Sequence, residues 1–376
     1  MKYILSFIFA ILIVGIIAGS NDLFHSTPPE PETSGQLSAR IAEDYLIPRY
    51  RALASATAAQ SEGWQQYCSD PKTDETGNAD KATLIDRYHK VADRWAEIEH
   101  IRFGPVELYL RHDRFYHWPE RRNAVSRALA ALVKSPDKSP LSDPTLNDPA
   151  RFARVSVAAQ GLPALERLLF PSAISTTTPY DPGVICAVGQ AIAANLASIS
   201  AQTVDEWAME GGVLDLINAG QSHPVFFTNN DEVARQLLTG LLTGFQMIRD
   251  IKLRPVMGDG IAKVRPKKAE AWRSNRSGKN IQRNIESLNA MAAAFSDRLP
   301  TETKSKISGE FEKLQAAAVF LTADNGTSIG DLAAEQDSRT TLDTLLAASR
   351  STSDTISSSL PEQLGITIGF NALDGD

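Results

Sequence analysis

Apolar residues recurring at a helical period, in runs cut apart by proline-rich loops, restrict this chain to helical architectures. Leu84, Tyr88, Val91, Ala92, Trp95 and Ile98 fall on one face of a helix. Residues 123–133 repeat the pattern weakly and stop at 135–149 (SPDKSPLSDPTLNDP), where four prolines exclude regular structure. A third helix is expected over 151–170, ended by Pro171, and a long one over 183–211 with Val184, Ile185, Val188, Ile192, Leu196 and Ile199 inward. Asn229, Asn230, Asp231 and Glu232 read as a helix start with acid in its first turn. The helix they open carries Val233, Leu237, Leu238, Leu241, Leu242, Phe245 and Ile248, and further helices are expected near 278–298, 302–322 and 336–358. An extended end is read only at 365–370, and there is no fixed-period repeat. The fold class is therefore all-α, as two packed helical bundles. A boundary near residue 215 gives a first bundle over 37–215 and a second, with a C-terminal tail, over 216–376.

The N-terminus points to export. Met1-Lys2 precedes an apolar run over 3–18, followed by Gly19, Ser20, Asn21 and Asp22. A charged start, an apolar centre and a small-residue exit make residues 1–20 a secretory signal, or an N-terminal anchor through residues 3–19 if they are retained. The run is short for a transmembrane helix, which needs about 20 residues. Residues 21–36 then read as a flexible tether, Pro-rich over 26–36 (STPPEPETSGQ). The expected compartment is the periplasm, with membrane contact only through the N-terminal segment.

The mature chain has two cysteines, Cys68 and Cys186, which in an oxidising compartment suggest one disulfide; two buried free thiols are the alternative. The balance of 38 basic and 45 acidic residues gives −7 with no basic stripe, which excludes nucleic acid as a partner. The basic residues over 263–268, interrupted by Val264 and Pro266, read as a solvated loop.

The segment Gln160-Gly161-Leu162-Pro163-Ala164-Leu165-Glu166 opens an apolar helix and resembles the Gly-x-His-x-x-Glu signature of imelysin-like proteins. Gly161 and Glu166 match, and Pro163 stands in the histidine's place. Other segments are similar to family landmarks: Arg102-Phe103-Gly104-Pro105, Phe115-Tyr116-His117-Trp118-Pro119-Glu120, residues 186–195 (CAVGQAIAAN), residues 269–280 (AEAWRSNRSGKN) and the ending over 369–376. Together they cover roughly residues 37–376. The resemblance implies a two-bundle helical protein of the bacterial envelope linked to iron uptake, with the signature segment where the bundles meet. Imelysin itself is classed as a metallopeptidase, and related proteins resemble iron or copper binders.

The residues argue against a peptidase centre. A catalytic zinc needs about three His, Glu or Asp ligands with an open position, and no His-Glu-x-x-His is present. Pro163 has no donor atom but suits a helix's first turn. Glu166 can meet the helix N-terminus as a capping or ion-pairing acid, or contact a ligand at the bundle interface. His100, His112 and His117 cluster in sequence with Glu99, Glu107, Asp113 and Glu120 nearby, so an iron or copper ion is a chemically reasonable cofactor, although no two of these histidines share a helix face. Arg102, Trp118, Arg121 and Arg122 could hold an anion or a planar ligand, or simply pack with a solvated rim. Ser274 and Ser277 read as caps of the helix starting near Gly278. Asp374 and Asp376 in the tail could hold a cation, against the default of a frayed terminus. The expected binding residues are thus Glu166, Gly161, Arg102, Trp118 and Asp374. The expected function is a non-catalytic ligand- or metal-binding component of an iron-linked pathway, with an envelope protein as partner. A metal-dependent peptidase and a purely structural scaffold are the alternatives.

Overall fold

The computed structural model describes residues 32–69, 75–133, 148–171, 182–322 and 327–367. The signal segment, most of the tether and Asp374 lie outside them. Among the described residues there is no strand, only an isolated antiparallel bridge between His223 and Phe227. The helical fold class is as the periodicity requires.

Helix α1 (Ser34–Ile41) begins inside the expected tether and runs through a π-helical turn (Ala42–Leu46) into α2 (Ile47–Ser69). Helix α3 (Glu75–Ala96) returns along α2 with Leu84, Tyr88, Val91 and Trp95 buried, the face that the spacing predicts. A 3₁₀ segment (Gly104–Leu110) and the short α4 (Arg111–Phe115) lead to α5 (Ala124–Val133). After α6 (Pro149–Phe152) and α7 (Leu162–Leu169) comes the long α8 (Pro182–Ala208), which packs along α2. Apolar enough to cross a membrane by composition alone, α8 is instead largely enclosed by its neighbours, as an all-round apolar helix in a bundle must be. Gly189 on α8 makes the close approach to α2 possible, because a Cβ there would lie 2.3 Å from the Trp64 ring. The Cys68–Cys186 disulfide joins the same two helices, with Cα atoms 5.6 Å apart.

The remaining chain forms α9 (Val213–Asn218), α10 (Asn230–Gln246), a π-helical stretch (Met247–Leu253), α11 (Arg254–Met257), α12 (Ser277–Ser296), α13 (Thr301–Ala318), α14 (Ile329–Ala334) and α15 (Gln336–Leu364). Asn229 caps α10, its side chain accepting from the Glu232 amide at 3.0 Å. Helix α1 packs on α9, α10 and α12, and Arg40 donates to the Ala294 carbonyl at 2.6 Å. The buried apolar residues form one continuous cluster from Leu37 to Ile366.

The single helix expected over 151–170 is broken into α6, a 3₁₀ turn (Val157–Ala159) and α7. Gln160 explains the break. Its buried side-chain amide donates to the Val155 carbonyl at 2.6 Å and the Ala153 carbonyl at 3.2 Å, groups that a continuous helix would have paired internally. Arg114 and Asn195 hold Gln160 in turn: Arg114 donates to its side-chain oxygen at 2.7 Å, and Asn195 donates to its carbonyl at 3.1 Å.

Candidate ligand cavity at Glu166

Gly161 is the N-cap of α7 and Pro163 lies in its first turn, where the missing amide hydrogen is no loss. Gly161 packs directly on the chain end of α4: a Cβ there would lie 2.2 Å from the Phe115 carbonyl oxygen. Its role is to let α7 start against α4, and it does not line the cavity.

Glu166, one turn into α7, is 4% exposed. Its carboxylate does not turn back to its own helix N-terminus. Oε1 accepts the Ser274 backbone amide at 2.9 Å and the Ser274 hydroxyl at 2.8 Å, from a segment 108 residues away. Burial pushes the Glu166 pKa up, opposed by the two Ser274 bonds and more weakly by the Arg273 and Arg167 charges. Ser274 is therefore not a helix cap as its sequence position suggests. Ser277 donates to the Glu270 carbonyl, and α12 starts at Ser277 after Arg276. Within 269–276, Ala271 and Asn275 both take left-handed backbone angles, φ 45° and 53°. Strained turns of this kind are tolerated where the surrounding structure fixes them, here around a buried carboxylate.

Glu166 and Trp118 line one cavity of about 620 Å³, within the range of small-molecule sites. Its walls come from three stretches of chain: 116–123, α7 through Pro163, Glu166 and Arg167, and 265–273. Arg167 donates to the Pro163 carbonyl within α7 at 2.7 Å, and it fixes α7 to α5 by pairing with Glu120 and donating to the Ser126 hydroxyl at 2.9 Å. The loop expected to be merely solvated over 263–268 supplies Arg265, Lys267 and Lys268 to the wall.

Arg102 is placed elsewhere. It forms an exposed 3.5 Å ion pair with Asp113 and lines a neighbouring cavity of about 370 Å³ together with Glu99, His100 and His112; Tyr116, Trp118 and Pro119 border both spaces. His100 and His112 are buried, and burial holds both imidazoles down to a pKa of about 3. His112 Nε2 lies 2.7 Å from the Glu99 carbonyl oxygen, and His100 Nε2 is 3.1 Å from the Tyr45 hydroxyl. His117 faces the first cavity instead. Among the described residues, no three His, Cys, Asp or Glu side chains are grouped to hold a metal ion.

Glu99, on the wall of the second cavity, also belongs to a buried charge network with Lys252, Glu270 and Asn284 that the sequence does not reveal. Lys252, 1% exposed on the π-helical stretch, pairs with Glu99 and lies 2.8 Å from Glu270 Oε2, an ion pair without hydrogen-bond alignment. Lys252 also donates to the Asn284 side-chain oxygen at 2.8 Å, and Asn284 donates to Glu99 at 2.7 Å. Burial, opposed by Lys252 and reinforced by Glu270, raises the Glu99 carboxyl to about 7. The one local signal was Lys252 within an otherwise apolar face following Phe245 and Ile248.

A family model for imelysin, peptidase family M75, matches residues 46–353. Among solved structures, an imelysin-like protein from Psychrobacter arcticum 273-4 superposes with a TM-score of 0.69 at 19% identity, over 90% of this chain and 99% of that protein. A putative iron-regulated protein A precursor from Parabacteroides distasonis ATCC 8503 gives 0.63 at 12% identity, over 89% and 95%. At these identities the likeness is one of fold. No curated protein matches the chain in sequence.

Proposed function

The chain belongs to the imelysin family, and on that footing we propose that it is an exported, non-catalytic binding component of an iron-linked system, with its ligand in the cavity beside Glu166. Pro163 carries this reading. It stands on the cavity wall at the signature's histidine position, and its side chain offers no atom to a metal or a proton. Glu166 has its Oε1 committed to Ser274, so the residues present do not fit a resident zinc centre with three protein ligands. A cavity of this size with an acid, two tryptophans and several cations suits holding a ligand.

Export is supported by the apolar N-terminal run and by the disulfide, which belongs to an oxidising compartment. The iron link rests on the family resemblance and on the iron-regulated precursor that shares the fold. An envelope protein that receives or delivers the ligand is the partner this role requires.

Purified protein supplemented with zinc, iron or copper is expected to cleave no peptide. Metal-dependent cleavage that disappears in Glu166→Ala would overturn the non-catalytic reading. A strain lacking the gene should grow more slowly than its parent only under iron limitation, restored by the wild-type gene and not by Glu166→Ala. Equal growth would remove the iron link, and recovery of the protein in the cytoplasmic fraction would remove export.

A further inference from the structure

The charge of the Glu166 cavity opposes that of the molecule around it. The chain carries a net −7. The cavity wall nevertheless collects Arg122, Arg167, Arg265, Lys267, Lys268 and Arg273 against only Glu120 and Glu166. Arg167 is neutralised by Glu120. The other five cations have no ion-pair partner within 4 Å among the described residues; burial and the neighbouring Arg167 charge hold the Arg273 pKa below its usual value, against the opposing pull of Glu166 and Glu120.

The cationic side is fixed in place. The Arg265 amide donates to the Val256 carbonyl at 2.8 Å, and Arg339 on α15 donates to the Met257 and Gly258 carbonyls at 2.8 and 2.9 Å. Gly330 on α14 lets Pro266 seat against that helix, since a Cβ would lie 2.5 Å from the proline ring. Arg273 and Lys267 sit 4.3 and 5.7 Å from the Trp272 ring centroid, so the aromatic wall and the cations form one surface. Glu166 has its Oε1 occupied by the Ser274 amide and hydroxyl.

We propose that this cavity takes an organic polyanion, a molecule with two or more carboxylate or phosphate groups on an apolar body, held by Arg122, Arg265, Lys267, Lys268 and Arg273 and packed on Trp272. The proposal rests on the reading of the cavity as a ligand site and names the ligand class for it. Guanidinium groups pair with carboxylate and phosphate through two parallel hydrogen bonds, whereas an apolar body matches the indole wall.

The test is titration of the full mature chain at low salt, read by tryptophan fluorescence and calorimetry. The probes are benzene-1,3,5-tricarboxylate, 1-naphthyl phosphate and, as a neutral control, the trimethyl ester of the tricarboxylate. At least one acid should bind, with affinity falling as salt rises, and the ester should not; which acid binds more tightly separates carboxylate from phosphate. Arg265→Gln and Lys268→Gln are exposed substitutions that leave the core intact, and each should weaken binding about tenfold. Failure of both acids to bind, or unchanged affinity in both variants, would overturn the proposal. The cavity reading fails separately. Ferric or cupric ion that binds the wild type and not Glu166→Gln, with no binding of either acid, would keep the cavity as a site and overturn the polyanion.

Discussion

Ala271 holds a left-handed backbone at φ 45°, where a Cβ costs about 1–2 kcal/mol. Replacing it by glycine removes that strain, so Ala271→Gly should raise the unfolding free energy by about 1 kcal/mol, measured by urea denaturation. The opposite holds at Gly161. Any side chain there meets the Phe115 carbonyl, and Gly161→Ala should cost about 3 kcal/mol and displace α7. An unchanged denaturation midpoint in that variant would show that the α4–α7 contact is looser than described. These two residues mark what a sequence reveals. Gly161 and Glu166 were visible because they sit in a compact motif at a helix entry. Ser274 was read as a cap because only its local neighbours were visible; its partner is 108 residues away, and no spacing rule connects them.

Where α2 and α8 lie side by side, Trp64 fills the notch at Gly189 and the Cys68–Cys186 bridge closes a separation of 118 residues. On the chain-entropy model a loop of that length contributes about 4–5 kcal/mol. Cys68→Ser with Cys186→Ser should therefore lower the unfolding free energy by about that amount, and a loss below about 1 kcal/mol would show that the reduced chain is already ordered between the two sites. The long helices were legible because a 3.6-residue apolar period survives any tertiary arrangement. The break at Gln160 was not, since its residues fit a helical pattern and the interruption is made by the Gln160 side chain, held by the distant Arg114 and Asn195. Both π-helical stretches escaped notice for a similar reason, because a one-residue change of register leaves little trace in composition.

The Lys252 network ties the turn after α3 to α12 and to the segment that carries Ser274, so it couples the bundle's interior to the cavity wall. Lys252→Met would strand two buried carboxylates and should cost about 3–5 kcal/mol. Glu99 supplies the pH test. Its folded pKa, about 7, lies above the usual carboxylate value of 4.5, so the folded state holds the proton more tightly. Its contribution to stability is complete below about pH 4.5 and is lost as pH rises through about 7. Relative to wild type, Glu99→Gln should therefore gain stability between those values, and a constant difference across that window would exclude the assignment. Such a network has no signature in the chain, because its members become neighbours only when distant segments pack. The placement of α1 against α9, α10 and α12 has a further consequence. Threaded N-terminus first through a ribosomal tunnel or a membrane channel, α1 emerges nearly two hundred residues before α10 (Asn230–Gln246) and must wait for it. The apolar residues of α1, Leu37 and Ile41 among them, therefore stay without their packing partners until residues as late as 296 have been delivered.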